Sequence, residues 1–310
     1  MLATAFSADD LQSLLTSEPL PAMPQTAVRL VTLSNDPANG PAEFAVVIEA
    51  DPGLAVQVLR FVNSSYFGFR SQISSIKQAI TLLGIRAVKN FVLWHAVFSL
   101  IPQPRSCLFD LKALWRDSLR RGLFARSLSK VLGVADAEEV FAAGLLQDMA
   151  VPLLARRAPE EYGRLFYARC ASKYRARLSQ LEEHQFGWNH AQAAGLVARK
   201  WQMPESLTGL IQGHVVTEQD LAAATGDPAK LAVAISALLP ADDDAGWPEV
   251  VRLEAAYAQV RPQAGPSTEE LLGKVDEEFT GMAPLLQVSP PRVALVEKYQ
   301  KALAAAGPSK

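Results

Sequence analysis

Apolar positions recur at three- and four-residue spacing along nearly the whole chain, and no stretch alternates apolar and polar as a half-buried strand would. The pattern predicts an all-α fold. A first helix covers about residues 8–15. Pro19, Pro21 and Pro24 then force an extended connection, because proline lacks an amide hydrogen and restricts the residue before it. A second helix, 25–33, stops at the turn formers Ser34-Asn35-Asp36-Pro37, and Pro41 opens a third that runs through Glu49. Asp51-Pro52 reads as a helix start, since the carboxylate caps free amides and Pro52 fits the first turn. That helix buries Leu54, Val58 and Val62, spaced by four, and ends at Asn63-Ser64-Ser65-Tyr66-Phe67-Gly68.

Ser75 and Gln78 have the spacing of a capping box and open a helix to Leu83. Gly84 breaks it, a longer helix follows over about 85–100, and Pro102 and Pro104 mark the first boundary. From Phe109, the residues Leu111, Leu114, Leu119, Leu123 and Leu128 form an apolar stripe on a helix ended by Gly133. Arg116, Arg120, Arg121 and Arg126 decorate this helix and are expected on its solvated side. Asp136 and Glu139 make a second capping box and launch the helix that carries Gly144-Leu145-Leu146-Gln147-Asp148-Met149-Ala150. Pro152 and Pro159 are expected to interrupt what comes next. Further helices fit residues 162–170, 175–184, 190–201 and 205–214, then 227–239, 248–260, 267–286 and 290–304. The expected organisation is an N-terminal helical part (1–105), a helical core (106–240) and a C-terminal helical extension (241–310).

Composition narrows the function. The chain has 310 residues, 49% apolar and 20% charged, which is ordinary for one large globular unit or two modest ones. A net charge of −2 offers no basic surface for nucleic acid, so no nucleic-acid partner is expected. Cys107 and Cys170 lie far apart without a C-x-x-C pair, which argues against a disulfide framework and for a reducing cytoplasm. Residues 1–10 lack the basic segment of a secretory signal. The longest apolar run, 91–101, contains His95 and is too short for a bilayer; it reads as a core helix, with His95 a packing histidine and no membrane partner.

Four stretches, in order, resemble the HDOD family, a bacterial signalling module related to the HD-domain and HD-GYP phosphohydrolases. They are Leu20-Pro21-Ala22-Met23-Pro24; Asp51-Pro52-Gly53-Leu54 through Asn63-Ser64-Ser65-Tyr66-Phe67-Gly68; Ser75-Ile76-Lys77-Gln78-Ala79-Ile80 through Gly84; and Gly187-Trp188-Asn189-His190 through Trp201-Gln202-Met203-Pro204. Asp51, Pro52, Asn63, Ser64, Gly84, Gln147, Gly187, Trp201 and Pro204 are the motif positions expected to be structural. The resemblance spans about residues 20–215. It implies an HD-like helical fold with an N-terminal helical subdomain, and a regulatory role exercised through other signalling proteins, with a homo-oligomer left open.

The resemblance also locates a metal site to test. A catalytic HD domain holds one or two divalent metals with a His from an early helix, a His-Asp doublet and further His or Asp residues, and the metal activates a water. Here Gln147 stands in place of the doublet His and Asp148 is kept. Asp117 stands where His is usual in Leu114-Trp115-Arg116-Asp117-Ser118, His190 matches a family His, and Gly213-His214 keeps one His of a common pair. The candidate ligands are therefore Asp117, Asp148, His190 and His214. The structural alternative for Asp148 is a carboxylate bonded to helix amides or paired with Arg116 or Arg120, and for His190 a packing histidine. His184 falls on no family site position and is expected at the surface.

No phosphate loop, Gly-x-Ser-x-Gly elbow, His-Glu-x-x-His pair or Gly-Tyr-Pro element is present. No catalytic residue and no cofactor is expected, a divalent metal being the exception the four candidates leave open. The reading is a non-catalytic HDOD signal-transduction module with a degenerate metal site; the alternative is a divergent metal-dependent phosphohydrolase acting on a nucleotide or cyclic dinucleotide.

Overall fold

The structure, a computed structural model, describes residues 8–306 apart from 18, 35, 37, 65, 102–108, 173–175, 216, 218–220, 222–225, 245, 285 and 287. Among the described residues every regular element is a helix and no strand occurs. The boundary expected at Pro102 and Pro104, the helix start at Arg175, Cys107, Ser65 and the turn residues Asn35 and Pro37 lie outside the described residues.

The N-terminal helices are α1 (Ala8–Thr16), α2 (Gln25–Ser34), α3 (Pro41–Glu49), α4 (Pro52–Val62), α5 (Ile76–Leu83) and α6 (Ile85–Leu100). Their ends follow from local chemistry. Asp51 accepts the Leu54 amide at 3.1 Å with Pro52 in the first turn, and Ser75 accepts the Gln78 amide at 3.3 Å. Gly84 sits at φ +86°, a conformation that favours glycine, and turns the chain by 113° between α5 and α6. Asn63 closes the loop after α4 like a short stretch of ladder, donating to the Ile73 carbonyl and accepting its amide, both at 2.6 Å. The Trp201 indole donates to the Pro21 carbonyl at 2.9 Å, which ties the first motif to the last.

The centre is the crossing of α7 (Leu111–Val131) and α8 (Ala137–Leu146). A Cβ on Gly144 would lie 3.0 Å from the Gly122 Cα, and one on Gly122 would lie 3.0 Å from the Phe141 carbonyl, so paired glycines let the two backbones touch. Around this crossing pack α9 (Ala150–Arg157), α10 (Pro159–Ala171), α11 (Leu178–Phe186), α12 (His190–Lys200) and α13 (Glu205–Gln212). The C-terminal helices α14 (Pro228–Ser236), α15 (Val250–Val260), α16 (Thr268–Met282) and α17 (Leu295–Ala306) follow, and α14 and α16 lie directly on α7. One hydrophobic core runs from Leu11 to Tyr299.

Several expectations are corrected. Arg116, Arg120 and Arg126 are not on a solvated side: they are 7%, 1% and 8% exposed. Helix α7 is enclosed on nearly all sides, with 15 of its 21 residues buried, and its arginines are met by partners distant in sequence. Arg116 donates to Asp242 at 3.0 Å and to Ser289 at 2.6 Å, Arg120 to the Val293 carbonyl, and Arg126 to Glu278 at 2.7 Å. Pro152 does not interrupt a helix but lies inside the first turn of α9, where the missing amide costs nothing. The break expected at Pro159 is present, α9 ending at Arg157 and α10 opening at Pro159. The boxes at Ser75 and Asp136 form only their N-cap half; the Glu139 carboxylate instead accepts from Ser206 at 2.6 Å. His95 is half-buried against Phe91 rather than enclosed, and burial lowers its pKa. His184 is exposed. Among the described residues no single helix is long and apolar enough to cross a membrane.

Candidate functional site

The turn between α8 and α9 places Gln147 and Asp148 against α7, and the glycine crossing one turn earlier sets how close they come. Asp148 Oδ2 is ion-paired with Arg121, which lies one helical turn beyond Asp117 on the same face of α7. The partner of Asp148 is thus Arg121, and neither Arg116 nor Arg120, because those two turn toward Asp242.

Asp148 Oδ1 faces two imidazoles. His190, at the first position of α12, brings Nε2 to 3.3 Å, and His214, just past α13, brings Nε2 to 3.6 Å. The two Nε2 atoms are 3.2 Å apart. Each ring is oriented from behind. His190 Nδ1 lies 2.6 Å from Glu182, which also accepts the His190 amide at 2.8 Å and the Tyr162 hydroxyl at 2.8 Å. His214 Nδ1 lies 2.7 Å from the Ile211 carbonyl. Because both of these partners only accept, each Nδ1 carries a proton, and both Nε2 atoms turn toward Asp148.

Electrostatics follow this geometry. Burial opposes the charge on Asp148, but the Arg121 guanidinium and the bonds from both histidines hold it well below the usual carboxylate range. Burial also pulls His190 down, yet the Glu182 carboxylate and the bond to Asp148 outweigh it and push His190 up to about 10. His214 is lowered by burial, against the pull of Asp148, so one proton is held between the two rings on His190.

Of the four candidate ligands, Asp148, His190 and His214 converge, with donor atoms within 4.8 Å of one another and all three residues buried. Asp117 lines the same cavity of about 170 Å³ but does not join them. Its Oδ1 accepts the Asp242 amide at 2.9 Å, and burial pushes its pKa up to about 7 against the pull of Arg121 and Arg120. Gln147 is fully enclosed; its Oε1 receives Ser236 at 3.4 Å, while its Nε2 has no acceptor among the described residues.

Two participants were not anticipated from the sequence. Arg121 was legible as the residue four after Asp117. Glu182 was signalled only by its register with Ser179 and Phe186 on the buried face of α11.

The donor set fits one divalent ion. Ligand atoms about 2.0–2.1 Å from a common ion at tetrahedral angles stand roughly 3.3 Å apart, and the three observed separations run from 3.2 to 3.6 Å. Glu182 behind His190 is the carboxylate partner that ligating histidines commonly have. Asp148 Oδ1, His190 Nε2 and His214 Nε2 would hold the ion, which would supply Lewis-acid polarisation and a water of lowered pKa.

An all-helical fold whose buried centre joins an aspartate to two histidines defines an HD-type domain. The chain belongs to the HDOD family, whose HDOD domain matches residues 20–216. A Shewanella amazonensis protein provisionally named a phosphohydrolase is 19% identical with a TM-score of 0.65, covering 93% of this chain and 97% of that one. An HDOD domain protein of unknown function from Geobacter sulfurreducens is 18% identical with a TM-score of 0.62, covering 94% and 91%. An uncharacterized protein of Treponema pallidum (strain Nichols) is 23% identical over 199 residues, or 63% of this chain and 37% of that protein. The match thus spans well under half of that relative, and the structural likeness establishes the fold, not the activity.

Proposed function

We propose that this chain is a regulatory HDOD module that works through contact with another signalling protein, without turning over a substrate. The observation that carries the reading is the Arg121–Asp148 ion pair inside the cavity. With Asp148 and Glu182 set against Arg121 and a protonated His190, the buried charges already balance without a divalent ion. Gln147, a neutral amide and a weak ligand, supports the same reading. The test combines turnover and association. The purified chain with added manganese should leave p-nitrophenyl phosphate, nucleotides and cyclic dinucleotides intact, and cross-linking in cell extract should join it to a defined protein. Turnover that disappears in Asp148→Ala would overturn the reading.

One observation favours a second reading, a divergent metal-dependent phosphohydrolase: three donor atoms stand at coordination spacing with a carboxylate behind one of them. On that reading Asp148, His190 and His214 would hold the ion, and Arg121, beside them, would meet a phosphoryl oxygen of the substrate. Metal content measured on the purified chain before and after Asp148→Ala separates the two readings. Stoichiometric metal that the substitution removes favours the second.

A further inference from the structure

A cavity lies on either side of the α7–α8 crossing, and the two are walled differently. The aromatic one, of about 160 Å³, is lined by Phe61, Tyr66, Phe91 and Phe141, from helices and the motif loop. The polar one has a loop for one wall. The described residues between α14 and α15 contribute Ala241, Asp243, Asp244 and Trp247 to its lining. Side chains of this loop are tied to the core, Asp242 to Arg116 and Arg120 and Asp244 to Arg169 at 2.7 Å. Its backbone is tied elsewhere. The Lys298 ammonium donates to the Ala241, Asp242 and Asp244 carbonyls at 2.7, 2.9 and 3.2 Å, and the last two have no other donor among the described residues.

Three carbonyl oxygens around one point form a cage for a cation, and an ammonium offers the three donors that match it. The cation is tethered, since it rides on the first turn of α17, 54–57 residues along the chain from the carbonyls it meets. That helix is seated only at this end. Leu295 is enclosed, the Leu295 and Val296 amides donate to Asp276 at 3.0 and 3.1 Å, and Tyr299 donates to Glu254 at 2.8 Å. Beyond Tyr299 every residue of α17 is exposed except the half-buried Ala302. Hydrogen bonds weaken steeply with distance and angle, and all three hang on one nitrogen, so one displacement of α17 releases them together. The Asp242 amide donates to Asp117 at 2.9 Å, and a loop that lifts takes this bond out of the cavity lining. We infer that Lys298 is a latch: its ammonium fills the carbonyl cage and holds one wall of the polar cavity shut, so that α17, a helix beyond the family match, governs access to that cavity. The inference concerns the wall and holds for either reading of the polar centre.

The test uses the full chain. An amine that donates to three acceptors stays protonated and slow to react, so acetic anhydride should acetylate Lys298 about tenfold more slowly than the exposed Lys274 on α16. Lys298→Ala keeps a good helix former at the position. It should raise amide hydrogen exchange in the loop between α14 and α15 about ten- to a hundredfold, the span of one hydrogen bond to a charged group. Helices α2 to α6 should exchange as before. n-Propylammonium carries the atoms the substitution removes, three carbons and the charged nitrogen, and should restore slow exchange saturably; 1-propanol should not. Access is read with diethyl pyrocarbonate, mapped by mass spectrometry: Lys298→Ala should make His214 react several-fold faster, about tenfold at most, with the exposed His184 unchanged as reference. Fast acetylation of Lys298 in the unaltered chain, loop exchange unmoved by Lys298→Ala, exchange raised equally in every helix, rescue by propanol as good as by the amine, or unchanged His214 reactivity would each overturn the inference.

Discussion

The two cavities share walls and differ in almost everything else. Helix α7 gives Asp117 and Arg121 to one and Arg126 to the other; the α8 segment gives Gln147 and Asp148 to one and Phe141 and Leu145 to the other. On the polar side, charges are matched within a few ångströms: Asp148 to Arg121, Glu182 to His190. On the aromatic side, Arg126 pairs with Glu278 and lies over Phe141, and most of the remaining lining is aromatic or aliphatic. The contrast teaches that helix periodicity assigns a residue to a direction and not to water. In a helix buried nearly all round, successive turns can serve two different interiors.

The strongest way to break the contrast is to remove charge matching from the polar side. Arg121→Met leaves the Asp148 carboxylate enclosed without its main partner and should cost about 3–5 kcal/mol in urea unfolding. Adding Asp148→Asn should return most of that loss; strict additivity of the two would show that they are not coupled. A smaller effect, felt on both sides, is expected at the shared wall. Gly144→Ala pushes a methyl group onto the Gly122 backbone and should lower stability by about 1–3 kcal/mol.

Two further substitutions are read through the pH dependence of stability. Asp117 has a folded pKa of about 7, above its unfolded value of 3.8. The folded state therefore binds more protons between those values, and stability should fall as pH rises from about 4 to 7 and then level. Asp117→Asn should flatten that slope. His190, raised from 6.5 to about 10, adds stability that is complete below about 6.5 and is lost as pH climbs toward 10. Glu182→Gln should bring the imidazole titration seen by NMR down toward its ordinary value and flatten the upper slope.

Much of the fold was legible because helix ends are local chemistry. Asp51 with Pro52, Asp136 and the glycine at 84 act within three or four residues of themselves, and a single sequence displays such signals. Pro152 was misread because a proline in a first turn and one that stops a helix look alike until the helix start is known. The buried arginines were misread for a different reason. Their partners lie far along the chain, with Arg116 126 residues from Asp242, and periodicity is blind to such distances. At the centre, the resemblance picked out Asp148, His190 and His214, which the structure brings together. It also picked out Asp117, which turns toward a backbone amide, and it passed over Arg121 and Glu182, which belong to no quoted motif. The second cavity left no trace in the pattern, because an aromatic facing a void and one facing a neighbour have the same spacing.

The anchoring of α7 by the C-terminal segment bears on how this protein can be divided. The family match stops at residue 216, yet Asp242 receives both Arg116 and Arg120 and gives its amide to Asp117. Lys298 in turn fixes that loop by donating to the Ala241, Asp242 and Asp244 carbonyls at 2.7, 2.9 and 3.2 Å. A fragment trimmed to the recognised domain would strand two enclosed guanidinium groups and strip one wall from the polar cavity. The smallest piece worth expressing for any assay of that cavity therefore runs past Lys298.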